Sequence, residues 1–225
     1  MKVIVLGAGV IGVTAAYALG QAGHNVTVID RAREVASQTS HANGAQLAYS
    51  YAEPFACPTT LRKLPGYFMS KDIGIGMRLN MNPSLYRWGF EFIKNCTPSK
   101  ETENLHAMLA LAAQSKAAMQ TLTAELDIGI IDCGKLILAK TEKDLEGYGK
   151  LENVKRKYGL NVNMLDKEAC LELEPALAGW QGAFYGGLYA RGDNVLDPVR
   201  FCKALQTAAH KKYGVGFEFG HEILG

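Results

Sequence analysis

A chain of 225 residues can hold one large domain or two small ones, and 48% apolar with 20% charged residues describes an ordinary globular protein. A net charge of +2 supplies no basic patch of the kind that nucleic acid requires. Cys57, Cys96, Cys133, Cys170 and Cys202 form no CxxC pair and have no His at ligand spacing. They fit reduced thiols in the cytosol rather than zinc ligands or a disulfide framework.

The chain opens with an apolar run, Val3 to Leu6, followed by Gly7-Ala8-Gly9-Val10-Ile11-Gly12, a helix of small residues and a second apolar run ending at Asp30. This is a dinucleotide fingerprint inside a complete βαβ unit. Gly7 permits the turn out of the first strand, Gly9 lets a pyrophosphate approach the backbone, and Gly12 lets helix and strand pack closely. The phosphates belong at the positive end of the helix, and Asp30 can accept hydrogen bonds from ribose hydroxyls. Lys2 and the apolar stretch to Leu19 also resemble a signal peptide, but cleavage there would destroy the βαβ unit that Val26 to Asp30 completes.

A nicotinamide domain would pass promptly into a third parallel strand. Here Ala36 to Leu47 is polar and small, and it suits either a surface loop or a wrap around a second phosphate or a flavin edge. Residues 51–100 read as irregular, punctuated by Pro54, Pro58, Pro65, Pro83 and Pro98, with one short amphipathic helix over Ser84–Lys94. The aromatic and Met residues there fit core packing or a membrane-surface patch. Leu105–Leu126 is the strongest helix, with Leu105, Met108, Leu109, Ala112, Met119, Leu122 and Leu126 near one face. Gly129–Ala139 reads as a strand with a turn or bulge at Cys133-Gly134. A charged helix over Glu142–Lys157 follows, capped by Thr141 and stopped by Gly159. Next come a strand at Val162–Leu165 and a helix at Asp166–Leu173, then a strand at Gln181–Ala190. A helix from Asp197-Pro198 to about Tyr213 and a strand at Val215–Phe219 close the chain.

The motifs VIVLGAGVIGVTAAYAL, AGHNVTVIDR, TSHANGAQLAYSYAEPFACP, FIKNCTP, LEPAL and GDNVLDPVRFCKAL together resemble the bacterial D-amino-acid dehydrogenase small-subunit group. That group lies within the glycine oxidase and D-amino-acid oxidase flavoprotein family. The resemblance covers essentially the whole chain, which is similar to the N-terminal half of such proteins. It implies a Rossmann-like α/β FAD-binding domain with an inserted α+β substrate domain, cut short at the C-terminus. Residues 1–50 and about 191–225 would belong to the first domain and about 51–190 to the second. Members run roughly twice this length. The absent half would hold the flavin-ring contacts and the arginine for the substrate carboxylate.

By the same resemblance FAD is held non-covalently. Val3, Leu6, Gly7, Ala8, Gly9, Val10, Ile11, Gly12 and Tyr17 would serve its pyrophosphate, and Asp30 and Arg31 its adenosine ribose. Ser40, Asn43, Gly44, Ala45, Gln46 and Leu47 match the second FAD-contacting segment, and Ile223 a backbone contact to adenine. Many members carry Glu where this chain has Asp30, and Gly where it has Ala45. Arg31 also suits an NADPH 2′-phosphate, but Asp30 beside it would repel that group.

The implied reaction oxidises a D-amino acid, D-alanine first, by hydride transfer to the flavin, and yields a 2-oxo acid and ammonia. It needs no dedicated side-chain base, and no catalytic residue is named. His41, Tyr49 and Tyr51 could line the pocket or serve structure alone. Electrons would pass to a quinone or other acceptor. The location would be cytoplasmic, with peripheral contact at the inner face of the cytoplasmic membrane through residues 64–93. Three other readings stand open: an oxidase of glycine, sarcosine or D-proline, a nicotinamide enzyme, and a non-catalytic subunit of an amine-oxidising complex.

Overall fold

The computed structural model describes residues 1–69 and 82–224. Strand β1 (Lys2–Leu6), helix α1 (Val10–Gln21) and strand β2 (Asn25–Asp30) form the opening βαβ unit. β3 (Gln46–Leu47) and helices α2 (Pro58–Met69), α3 (Pro83–Asn95) and α4 (Pro98–Glu125) follow. Then come β4 (Ile130–Ile131), β5 (Lys135–Ala139), α5 (Glu142–Arg156), β6 (Val162–Leu165) and α6 (Lys167–Leu173). A short 3₁₀ turn at Pro175–Gly179 leads to β7 (Gly186–Ala190), β8 (Asn194–Leu196), α7 (Pro198–Tyr213) and β9 (Gly216–Phe219).

The described strands make three sheets. In the first, β1 and β9 flank β2 in parallel, with Val3 opposite Val26 and Asp30 opposite Phe219. The second is antiparallel, with β8 between β3 and β4. The third is antiparallel, with β7 between β5 and β6.

Small residues let α1 and α7 approach each other over the first sheet. A Cβ on Gly20 would lie 2.8 Å from Val215 Cγ2, so only glycine fits where α1 crosses the end of α7. Val13, Ala16, Tyr17, Val26, Val28, Phe201, Cys202, Leu205 and Val215 are the buried core there. Met119, Leu122 and Leu126 of α4 pack against it, so the long helix reaches back to the nucleotide-type sheet. Its upper part instead buries Leu109 with Tyr49, Ala52 and Leu160.

The helix signals local to the chain hold. Thr141 and Asp144 form a reciprocal capping box on α5. Asp166 caps α6, and Asp197 caps α7 through Val199 N and Arg200 N at 2.8 and 3.2 Å. Gly214, at φ 68°, ends α7 in the left-handed conformation.

Four expectations need correction. Residues 51–100 are not irregular: α2 lies there, and α4 begins at Pro98 rather than Leu105. Pro58, Pro83 and Pro98 each open a helix, where a missing N–H costs nothing, rather than break one. Residues 70–81, part of the 64–93 patch, lie outside the described residues. Met108 is largely exposed and Leu109 carries the burial on that turn of α4. Gly129–Ala139 is two strands in different sheets, and the turn expected at Cys133-Gly134 falls between them, with Gly134 at φ 69°. Finally, β7 spans only the second half of Gln181–Ala190, and β8 arises where no strand was expected.

Candidate functional site

The site is built at the carboxyl ends of β1 and β2, where helices and strands of a parallel sheet leave a crevice. Gly7 leaves β1 at φ 100° and donates its N–H to Ile29 O at 2.8 Å. A Cβ on Gly12 would lie 1.9 Å from Gly7 O, so α1 packs on the turn more closely than any side chain allows. Gly9 occupies the N-cap position of α1 in extended conformation. The first turn of α1 holds no acidic residue to compete with an anion at its positive end.

Asp30 is gripped at both oxygens. Oδ2 accepts from Ala8 N at 2.6 Å, and Oδ1 from Ala32 N at 2.7 Å. These bonds fix the carboxylate against the glycine turn. Ser40 closes the site from the other side, its Oγ accepting from Val10 N at 3.0 Å. Ala36 takes φ 57° and donates to Ala8 O at 2.9 Å, which folds the 31–40 loop over the turn.

A cavity of about 430 Å³ lies among these groups, with Leu6, Gly7, Ala8, Gly9, Asp30, Arg31, Ser40 and Ile223 on its walls. A second cavity of about 300 Å³ is lined by Val10 and by Asn43, Gly44, Ala45, Gln46 and Leu47. Val10 N donates to Ser40 Oγ, so one hydrogen bond at the N-terminus of α1 links the lining of the first cavity to that of the second. Ala45 stands at φ 54°, supported by its N–H donating to Asn43 Oδ1 at 2.8 Å. A left-handed Ala costs roughly 1–2 kcal/mol, a strain that a glycine there would relieve.

Four residues assigned to the cofactor by resemblance line neither cavity. Val3 packs against the core, and Gly12 faces the turn. Ile11 is largely exposed. Tyr17 lies two turns along α1 with its ring edge-on to Tyr213 at 5.4 Å, and burial pushes its hydroxyl up to about 12. Arg31 reaches Gln38 Oε1 at 3.4 Å. His41 is exposed in its loop, whereas Tyr49 is buried in the second core, where burial and the Asp193 charge raise its hydroxyl to about 12. Tyr51 is exposed beside Lys135.

The sequence reading missed His221 and Glu222, which share the first cavity with Ile223. Their signal was positional: β9 runs parallel to β2, so the residues after it emerge at the same crevice. His221 N donates to Asp30 O at 3.1 Å and Gly220 N to Ala32 O at 2.9 Å. Met119, Pro198 and Phe201 complete the second cavity from distant segments. Among the described residues no His, Cys, Asp and Glu group could hold a metal ion. The residues present do fit a dinucleotide: a pinned carboxylate, a helix terminus with no acidic residue in its first turn, and a glycine turn on which α1 packs closely at Gly12.

A family model described as FAD dependent oxidoreductase matches residues 2–225. The D-amino acid dehydrogenase of Dechloromonas aromatica is 36% identical over 222 residues, covering 98% of this chain and 53% of that protein. That of Methylobacterium nodulans is 36% identical, with 98% and 52% covered. The chain thus spans about half the length of the curated relatives it matches. Among solved structures, L-alpha-glycerophosphate oxidase from Mycoplasma pneumoniae with FAD bound aligns at TM-score 0.65 and 22% identity, covering 100% of this chain and 46% of that one. Glycine oxidase from Geobacillus kaustophilus aligns at TM-score 0.63 and 22% identity, covering 98% and 46%. At that identity these two show the fold.

Proposed function

Because the chain belongs to the FAD dependent oxidoreductase family, we propose that the protein serves the oxidation of D-amino acids with FAD as oxidant, D-alanine foremost. The observation that carries this reading is the pair of cavities at the N-terminus of α1, whose linings the Val10–Ser40 hydrogen bond links. It rests further on relatives named D-amino acid dehydrogenase over nearly the whole of this chain.

In this reading Asp30 holds the adenosine ribose, the α1 terminus and Ser40 face the pyrophosphate, and residues 43–47 meet the flavin half. Residues 220–223 close over the adenine side. Residues 1–50 with 191–225 form the FAD-binding part, and 51–190 the substrate part. When bound, FAD supplies a two-electron acceptor for the Cα–H of the amino acid; water then releases the 2-oxo acid and ammonia. The chain's own residues orient the group and exclude water. In this reading the reaction needs no dedicated side-chain base.

We further propose that the electrons leave to a quinone at a membrane surface. No helix among the described residues is long and apolar enough to cross a membrane. Yet α3 buries none of its residues, and Trp88, Phe90 and Ile93 are 56%, 61% and 47% exposed. Arg87 and Lys94 lie on the same helix, the composition of an interfacial element.

The test is the anaerobic absorption spectrum of the purified protein before and after D-alanine. A flavin spectrum that bleaches supports the reading. One that bleaches only with glycine, sarcosine or D-proline moves the substrate, and no flavin overturns the cofactor assignment. Reoxidation no faster with quinone, and no binding to anionic vesicles, would reject the membrane arm.

A further inference from the structure

Cys57 opens α2 and Cys96 closes α3. Cys57 precedes Pro58, and its carbonyl accepts from Leu61 N at 3.1 Å, so it caps the helix. Its sulfur joins the cap: Thr60 N donates to Sγ at 3.4 Å, and Thr60 Oγ1 lies 3.3 Å from the same atom. Cys96 is the C-cap of α3, and its Sγ donates to Phe92 O at 3.3 Å. The two segments touch through Phe55 and Phe92, whose ring centres are 5.7 Å apart. Cys57 lies just beyond the first ring, and Cys96 one helical turn beyond the second.

The two cysteines also act on each other. Burial first, and then the Cys57 thiol, pushes the Cys96 thiol up, while the Cys57 N–H draws it back down. A backbone N–H acts on a sulfur only at hydrogen-bond range, so the pair are neighbours in space. Both are free thiols, and they differ in access: Cys57 is half-buried and Cys96 is 4% exposed. An accessible thiol beside a buried one is the arrangement of an attacking and a resolving cysteine. A bond between them would matter to α3, none of whose own residues is buried and whose Trp88 stacks only on its own Phe92, at 5.3 Å.

We propose that Cys57 and Cys96 form a reversible disulfide that fastens the end of α3 to the start of α2. The oxidant is a small-molecule disulfide of the glutathione type. The Cys57 sulfur attacks one of its sulfurs, the S–S bond of the oxidant breaks, and the first thiolate leaves with the proton that Cys57 gave up. Cys96 then displaces the second thiolate, which takes the Cys96 proton. Two cysteine thiols are oxidised to one disulfide, and one disulfide is reduced to two thiols. The proposal needs neither the flavin reading nor the membrane reading.

The test is oxidation of the purified protein with glutathione disulfide, then blocking of free thiols in denaturant and mass spectrometry of the proteolytic peptides. A linked Cys57–Cys96 peptide should exceed every other cysteine pairing at least about tenfold, because the fold already holds the partners together. Dithiothreitol should restore both thiols. In urea the preference should vanish. The Cys96→Ser variant should stop at a mixed disulfide on Cys57, and the Cys57→Ser variant should leave Cys96 unmodified. Oxidation should raise the melting temperature of the parent and leave that of Cys57→Ser unchanged. A stable glutathione adduct on Cys57 of the parent with Cys96 still free overturns the proposal. So does an even spread of pairings in the folded protein, or no oxidation of either thiol.

Discussion

Asp193 and Ser50, 143 residues apart, are joined inside the protein by two hydrogen bonds, Ser50 N to Oδ1 at 3.0 Å and Ser50 Oγ to Oδ2 at 2.6 Å. Asp193 lies in the turn between β7 and β8, and Ser50 follows β3, so the pair locks the second sheet to the loop beyond it. Asp193→Ala would strand two buried donors. We expect a loss of about 2–4 kcal/mol, seen as a melting temperature lower by roughly 5–10 °C. Asp193→Asn keeps an acceptor for one donor and should lose about half as much. Equal melting of all three proteins would show that water replaces the carboxylate.

Two glycines of the opening turn should respond differently to the same methyl group. In Gly12→Ala the new Cβ would meet Gly7 O at 1.9 Å, and backbone cannot move away without rebuilding the turn. Flavin retention should fall at least about tenfold and stability by a few kcal/mol. In Gly9→Ala the nearest atom is Ser40 Oγ at 3.2 Å, the end of a side chain that can rotate. Stability should hold, with a smaller loss of flavin. Flavin content on purification and a urea melt separate the two.

Lys155 is fully buried and pairs with Glu53, whose second oxygen is buried with no hydrogen-bond partner among the described residues. Removing only the cation leaves a carboxylate with nothing to balance it, so Lys155→Met should cost about 3–5 kcal/mol. Combining it with Glu53→Gln should recover most of that loss, since neither charge then remains. A double-mutant cycle in urea gives the coupling directly, and strictly additive losses would deny the pair any role.

The buried tyrosines make a prediction about alkaline pH. Burial raises the Tyr17 and Tyr49 hydroxyls from 10.0 to about 12, with Tyr213 and Asp193 respectively adding to the effect. Both groups are neutral in the folded protein and ionise more readily unfolded. Their contribution is complete below pH 10 and disappears as pH rises toward about 12. Stability measured by denaturant should fall across that window. Tyr49→Phe should flatten the fall, and an unchanged slope would place the sensitivity elsewhere.

Thiol reactivity should sort the cysteines by burial. Cys133 is exposed, whereas burial pushes Cys96 and Cys170 up and Cys202 to about 11. At pH 8 a thiol reagent should label Cys133 fast, Cys57 more slowly, and the other three only after unfolding. Rapid labelling of Cys202 would contradict its place on the buried face of α7.

What the sequence by itself determined is short in range. The caps at Thr141, Asp166 and Asp197 each depend on residues within a few positions of one another, and the βαβ unit on the single stretch from Lys2 to Asp30. Their hydrogen bonds close whatever the rest of the chain does. Pro198 beside Asp197 was legible as a helix start, whereas Pro58 and Pro98 were not, because the same missing N–H suits a start or a stop. Tertiary structure alone decided the rest. The turn at Gly134 between β4 and β5 was legible, but that the two strands would pair with β8 and β7 in different sheets was not. Lys135 reached Gln46 across 89 residues, and His221 arrived at Asp30 only because β9 runs beside β2. Such contacts are set by how sheets stack and strands align over the whole chain. A side chain's partner in space is then a property of the packing and not of its neighbours in sequence.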